Sequence, residues 1–155
     1  MAVDALDSAI LHLFAAEPRI GVLEASRRLR VARGTVQARL DRMERAGVVR
    51  GWGPEVDPEA MGFPVTAFVT LEISQARGHD PVGEHLALIP EVIEAHTVTG
   101  PGDLWCRVVA RSNSDLQRVL DTVVSFPGIE RSATMITLAT QIEHRTLPLV
   151  TAAIE

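Results

Sequence analysis

The sequence predicts an α+β protein built from two units, on three observations. Apolar spacing changes from a helical period of about 3.6 to a strand period of about 2 near Phe63. Glycines and prolines cluster just before that change, over residues 48–62. Charge is divided unequally: residues 1–50 hold nine arginines against six acidic residues, while residues 51–155 hold six against fourteen. In a chain of net charge −5, such asymmetry points to contact between one half and an acidic polymer.

Residues 1–50 read as three helices. Leu6, Ile10, Leu13 and Phe14 recur at one helical face, and Asp4 and Asp7 stand in the first turn, where negative charge suits the helix dipole. Pro18 ends this helix by disfavouring helical backbone at Glu17. A second helix, about 21–30, turns Val22, Ala25, Ser26 and Leu29 inward. A third, about 33–46, turns Val36, Leu40 and Met43 inward, with Gly47 as its left-handed stop. The stretch "VVRGWGPEVDPEAMG" then reads as a short apolar strand broken by three glycines and two prolines, a hinge.

From Phe63, Val65, Ala67, Val69, Leu71 and Ile73 alternate with Thr66, Phe68, Thr70 and Glu72, the pattern of a half-buried strand. "PVGEHLALI" reads as a short helix ended by Pro90, and "VIEAHTVT" and "LWCRVVAR" as strands around a tight "GPGD" turn. Leu116, Val119, Leu120 and Val123 mark another helix, and "SATMITLAT" a last strand. That order is the split βαβ arrangement, an antiparallel sheet with both helices on one face. The tail from Leu147 reads as a short docked helix. The predicted organisation is therefore a helical domain over 1–50, a hinge over 51–62 and a split βαβ domain over 63–155.

Several function classes find no support. No apolar run approaches the roughly 18 residues a membrane span needs, and the start lacks a basic signal-peptide region, so a cytoplasmic protein with no membrane partner is expected. Cys106 is the only cysteine and alternates with Leu104 and Val108 on an apolar face, so it reads as core. His12, His79, His85, His96 and His144 lack metal-ligand spacing, and no nucleophile motif is present. No catalytic residue, metal or cofactor is expected. Trp52 and Trp105 read as packing or interface residues.

Two stretches carry candidate chemistry. The second and third helices, with a short turn at Arg30–Ala32, have helix-turn-helix spacing, which sets the start of the later helix in the major groove. Arg33, Gly34, Thr35, Gln37 and Ala38 are then candidates to meet bases, and Arg39, Arg42 and Arg45 to meet phosphates. A solvated amphipathic helix has the same spacing. All fifteen basic residues are arginine, as a GC-rich coding sequence would give, so arginine itself decides nothing. The distribution does: residues 27–50 carry eight arginines against two acids, which favours double-stranded DNA. The second stretch, "TGPGD", reads on turn chemistry alone as a hairpin turn with a solvated aspartate.

Taken in order, "DALDSAIL", "EASRRL", "VARGTVQARLDRMERAGVVRGW", "PEVDPEAMG", "IPEVIEAHTVTGPGDLWCRVVA" and "GIERSATMITL" resemble the Lrp/AsnC family of leucine-responsive and asparagine regulators, from about Asp4 to Leu138. The resemblance implies a winged helix-turn-helix for DNA and a ferredoxin-like α/β sandwich that senses a small-molecule effector, an amino acid or related metabolite. It also implies a homodimer, often built up to an octamer. On the family pattern Asp103 pairs an effector ammonium and the amides of Gly100 and Gly102 receive its carboxylate. Thr97, Met135 and Thr137 are the candidate side-chain discriminators. Two positions depart from the pattern. Ala32 stands where many members carry a capping serine, leaving the cap absent or supplied by Thr35, and Gly102 stands where relatives often carry a larger side chain. A ligand-binding oligomer without DNA-binding activity is the alternative, but such a protein has no need of the +6 charge over residues 27–50.

Overall fold

The computed structural model describes residues 2–74 and 79–154. Contacts divide the chain into two units: residues up to Glu55 together with those from Ile142 on, and Val56–Gln141. The first boundary falls inside the expected hinge. The second differs from expectation, because the tail does not belong with the C-terminal domain. Its helix α6 (Leu147–Ala152) packs on α1 (Ala5–Ala16). Four of the six residues of α6 are apolar and none is charged, so it needs an apolar neighbour.

In the first unit, α1 is followed by α2 (Val22–Leu29) and α3 (Arg33–Arg45). Ile10, Phe14, Ala25, Val36, Leu40 and Met43 form its core, so the helical periodicity assigned the inward faces correctly. Asp4 caps α1 by accepting from the Leu6 and Asp7 amides, and Asp7 returns a bond to the Asp4 amide. The α2–α3 turn depends on Arg30, which stands at φ 57°, ψ 41°, a left-handed conformation usually left to glycine. The expected strand after α3 does not form among the described residues. The Val48 and Val49 amides both donate to the Met43 carbonyl, closing the helix end instead of entering a ladder.

The second unit is a four-stranded antiparallel sheet of β1 (Val65–Ile73), β2 (Val92–Thr97), β3 (Leu104–Ala110) and β4 (Ile129–Ile136), in the order β2-β3-β1-β4. Helices α4 (Asp80–Ala87) and α5 (Asn113–Val124) cover one face. Val69, Leu71, Cys106 and Val108 meet Val82, Leu86, Val119 and Val123 there, giving the expected ferredoxin-like sandwich. Burial pushes the Cys106 thiol up to about 11, which keeps it protonated and inert. On the open face Phe68 stacks on Trp105, with ring centroids 5.0 Å apart. No helix is long and apolar enough to cross a membrane among the described residues.

The turn between β2 and β3 is tied to β1. The Asp103 amide donates to the Leu71 carbonyl at 2.8 Å, and its carboxylate accepts from the Ile73 amide at 2.8 Å. Asp103 thus continues the β1–β3 ladder beyond Leu104, where β3 itself has ended. This corrects the solvated aspartate read from the sequence. Gly102, at φ 92°, lies so close to β1 that an added Cβ would stand 2.2 Å from Thr70 Cγ2 and 3.2 Å from the Leu71 carbonyl oxygen. Close approach is therefore the reason for glycine here. Replacing Gly102 with Ala should destabilise the protein by about 2 kcal/mol or more, from the left-handed strain and the displaced β1 contact together. Thermal unfolding measures it, and an unchanged midpoint would show the turn free to move off β1.

Candidate functional sites: a recognition helix and a turn beside the sheet edge

With Val36, Leu40 and Met43 buried, α3 presents Arg33, Gly34, Gln37, Ala38 and Arg45 to solvent, with Thr35 half-buried. Gln37 donates from Nε2 to Asp41 at 2.7 Å, and Arg45 Nε donates to the Asp41 carbonyl at 3.2 Å. No side chain caps α3: Ala32 cannot, and Thr35 does not replace it. The Thr35 and Val36 amides bond to the Ala32 carbonyl, which leaves the start of the helix without a side-chain acceptor.

Arg39 and Arg42 have a different place from the one the sequence suggested. They lie on the flank of α3 that meets α1, not on its open face. Arg39 bonds to both Asp4 and Asp7, and Arg42 Nη2 donates to Asp7 at 2.5 Å. The Asp7 side chain is fully buried, so its charge has to be compensated inside the protein, and the two arginines do that. The hydrogen bond from Arg39, with the Asp7 amide, holds the Asp4 carboxyl well below the usual range, at about 2. Arg39 and Arg42 are therefore both engaged within the unit. The periodicity hid this, since it assigns faces of one helix and says nothing of charges reaching in from another. The clue available in the sequence was an acidic residue one position beyond Leu6 on an otherwise apolar face.

Around the second candidate, two open depressions share Glu72 and Gly102. One, of about 580 Å³, is lined by Glu72, Ile73, Ser74, Gly100, Gly102, Asp103 and Glu130. The other, of about 430 Å³, includes Thr70, Gly102, Arg131 and Met135. Gly100, Gly102 and Asp103 line the first depression, and Met135 lines the second with Gly102. Thr97 ends β2 directly beside the turn but lines neither depression. Strands β2 and β4 lie at opposite edges of the sheet, and the Thr137 amide bonds to the Thr66 carbonyl, at the end of β1 far from the turn. Glu72, Glu130 and Arg131 were missed because the β1–β4 register, Glu72 opposite Arg131, is what carries them to the turn. Among the described residues no group of three or more histidine, cysteine or acidic side chains is arranged to hold a metal.

Comparison with known proteins gives both units a relation. Residues 3–50 match the winged helix-turn-helix DNA-binding family, and residues 66–147 match the Lrp/AsnC ligand binding domain. The chain is 28% identical over 147 residues to the HTH-type transcriptional regulator FL11 of Pyrococcus horikoshii, covering 95% of this chain and 97% of the relative. Its fold is similar to the solved structure of Escherichia coli AsnC, with a TM-score of 0.87 at 26% identity over 96% of this chain and 100% of that one. It is also similar to the feast or famine regulatory protein of Mycobacterium tuberculosis, solved with L-methionine, at a TM-score of 0.81 and 27% identity over 92% and 97% of the two chains. The Pyrococcus relative is named as a regulator of transcription and the Mycobacterium relative as a regulatory protein. With both domain families present in order and shared over nearly its whole length with such regulators, the chain belongs to the Lrp/AsnC family.

Proposed function

We propose that this chain regulates transcription by reading double-stranded DNA through α3, and that an amino acid bound beside the Gly100–Asp103 turn modulates it. The observation that carries the DNA reading is Gly34. It is an exposed glycine in the first turn of a helix, and nothing lies within 4 Å of where its Cβ would stand. Glycine costs a helix about 1 kcal/mol against alanine, and no internal contact requires it here. The requirement then comes from outside, from a surface that approaches the backbone closely, as the floor and walls of a major groove do. Around it Arg33, Thr35, Gln37 and Ala38 address base edges, and Arg45 addresses phosphate. Gln37 exchanges Asp41 for a base edge when DNA arrives.

At the turn, one Asp103 oxygen holds Ile73, and the other, without a partner among the described residues, suits an ammonium. The amides of Gly100 and Gly102 suit a carboxylate, and Met135 with Thr70 offers a mixed wall for a side chain. The methionine complex of the Mycobacterium tuberculosis relative supports an amino acid as the class of effector. A homodimer, or an octamer built from it, is supported by the stacked Phe68 and Trp105 on the uncovered sheet face and by the exposed Met135 and Ile136 on β4. Such an assembly would act in the cytoplasm on a two-fold symmetric site.

A gel shift on the upstream region of its own gene, repeated over a salt series, tests the DNA reading. The Gly34→Ala variant should be more stable by about 0.5–1 kcal/mol, from helix propensity, yet bind DNA on the order of tenfold more weakly. Unchanged affinity in that variant would remove α3 from the interface. For the effector, thermal shift against the twenty amino acids should find one that raises the midpoint. Asp103→Asn keeps an acceptor for Ile73 but removes the charge, so it should weaken that ligand roughly tenfold with little loss of stability. A variant that binds as the parent does would leave the turn as a purely structural feature. Light scattering on the full chain should give a dimer or larger, and a monomer at micromolar concentration would overturn the assembly.

A further inference from the structure

We propose that Asp4 is an internal competitor for DNA phosphate: it occupies Arg39 and Arg42 of the recognition helix, and DNA has to displace it to use them. The inference rests on the reading of α3 as the DNA-facing helix. It concerns residues that lie off the exposed base-reading face and belong to the contact between two helices.

Three observations carry it. Arg39 bonds to both Asp4 and Asp7, while Arg42 Nη2 stands 2.5 Å from an Asp7 oxygen and 3.9 Å from an Asp4 oxygen. The two carboxylates differ in access. The Asp7 side chain is sealed at 0% exposure, whereas that of Asp4 is 49% exposed and forms the outer member of the cluster. Both arginine side chains also keep contact with solvent, at 27% and 41% exposure, so an incoming anion can reach them. Asp7 is thus a fixed anchor and Asp4 an exchangeable one.

The exchange is chemically like for like. A guanidinium presents a fork of N–H donors that fits a carboxylate or a phosphate equally well. While Asp4 holds the fork, the charge of Arg39 is spent inside the protein, and the electrostatic part of DNA affinity is smaller than the arginine content of residues 27–50 implies. The hydrogen bond from Arg39 holds the Asp4 carboxyl well below the usual carboxylate range, which keeps it charged throughout the physiological range, so the competitor is always present. Because phosphate contact is blind to sequence, the effect falls on affinity and salt dependence and not on base preference. A regulator with weaker sequence-independent binding spends less time on the rest of the genome.

The test is Asp4→Asn in the full-length protein, with binding to the operator fragment and to random DNA measured over a salt series. Asparagine caps a helix as well as aspartate, so the bonds to the Leu6 and Asp7 amides survive while the charge goes. Asp4→Ser provides a second neutral cap if the first variant melts early. Affinity for both DNAs should rise by a similar factor, on the order of tenfold at low salt, and the slope of log K against log salt should steepen by about one per subunit. Placing Asp4→Asn in an Arg39→Ala background should abolish the gain, since the released fork is then missing. Unchanged affinity and slope in a folded variant would overturn the proposal. So would reduced affinity, which would make Asp4 an aligning residue only, or a gain that persists without Arg39, which would make it a general effect of charge. A parent protein that fails to shift DNA at all would instead remove the reading of α3 on which the proposal rests.

Discussion

One buried carboxylate holds the N-terminal unit in register. Asp7 Oδ2 takes the Asp4 amide at 3.1 Å and Arg42 at 2.5 Å, while Oδ1 takes Arg39 at 3.1 Å. The residue that starts α1 therefore also orients α3. Apolar packing of Val36, Leu40 and Met43 decides which face of α3 turns inward, but oil-like contacts tolerate small rotations and slides. A sealed charge does not, because any shift that separates it from its guanidinium partners leaves it unsolvated and unpaired. Position of the exposed residues Gly34, Gln37 and Ala38 follows from that constraint.

The second unit uses an aspartate in the same way. Asp103 continues a β ladder where its own strand has run out, fastening the turn to Leu71 and Ile73. Gly102 lets the turn come near enough for those bonds to form. The β-bulge between Glu72 and Ile73 lies at the same place, and it frees β1 from its regular register with β4 just where the depressions open. The depression beside this turn is thus bordered by backbone hydrogen bonds that fasten the turn to β1.

Regular elements were legible because each leaves a periodic trace. The alternation from Val65 to Ile73 gave β1 its two faces, and Val36, Leu40 and Met43 gave α3 its inner face, residue for residue. What stayed hidden were pairings across elements. The engagement of Arg39 and Arg42 by Asp4 and Asp7 spans more than 30 residues, and no local pattern encodes it. Thr97 and Thr137 looked like residues of adjacent strands because strand order was not in view; the order β2-β3-β1-β4 separates them. The tail helix was foreseen, but its attachment to α1 was not, since an uncharged amphiphile fits any apolar groove.

Departures from local rules are concentrated in one short stretch. Arg30 takes a left-handed backbone that glycine would take without cost, Ala32 stands at a helix start that it cannot cap, and Gly34 sits inside the helix that follows. Each choice makes the isolated fold slightly less stable, and each lies within five residues of the others. Natural sequences are locally consistent where only folding is at stake, so a run of inconsistent choices marks a surface shaped for something other than folding. Here the three choices have one property in common. They leave the start of α3 uncapped and its backbone accessible at Ala32 and Gly34 between Arg30 and Arg33, which suits a helix end that presses against a polyanion.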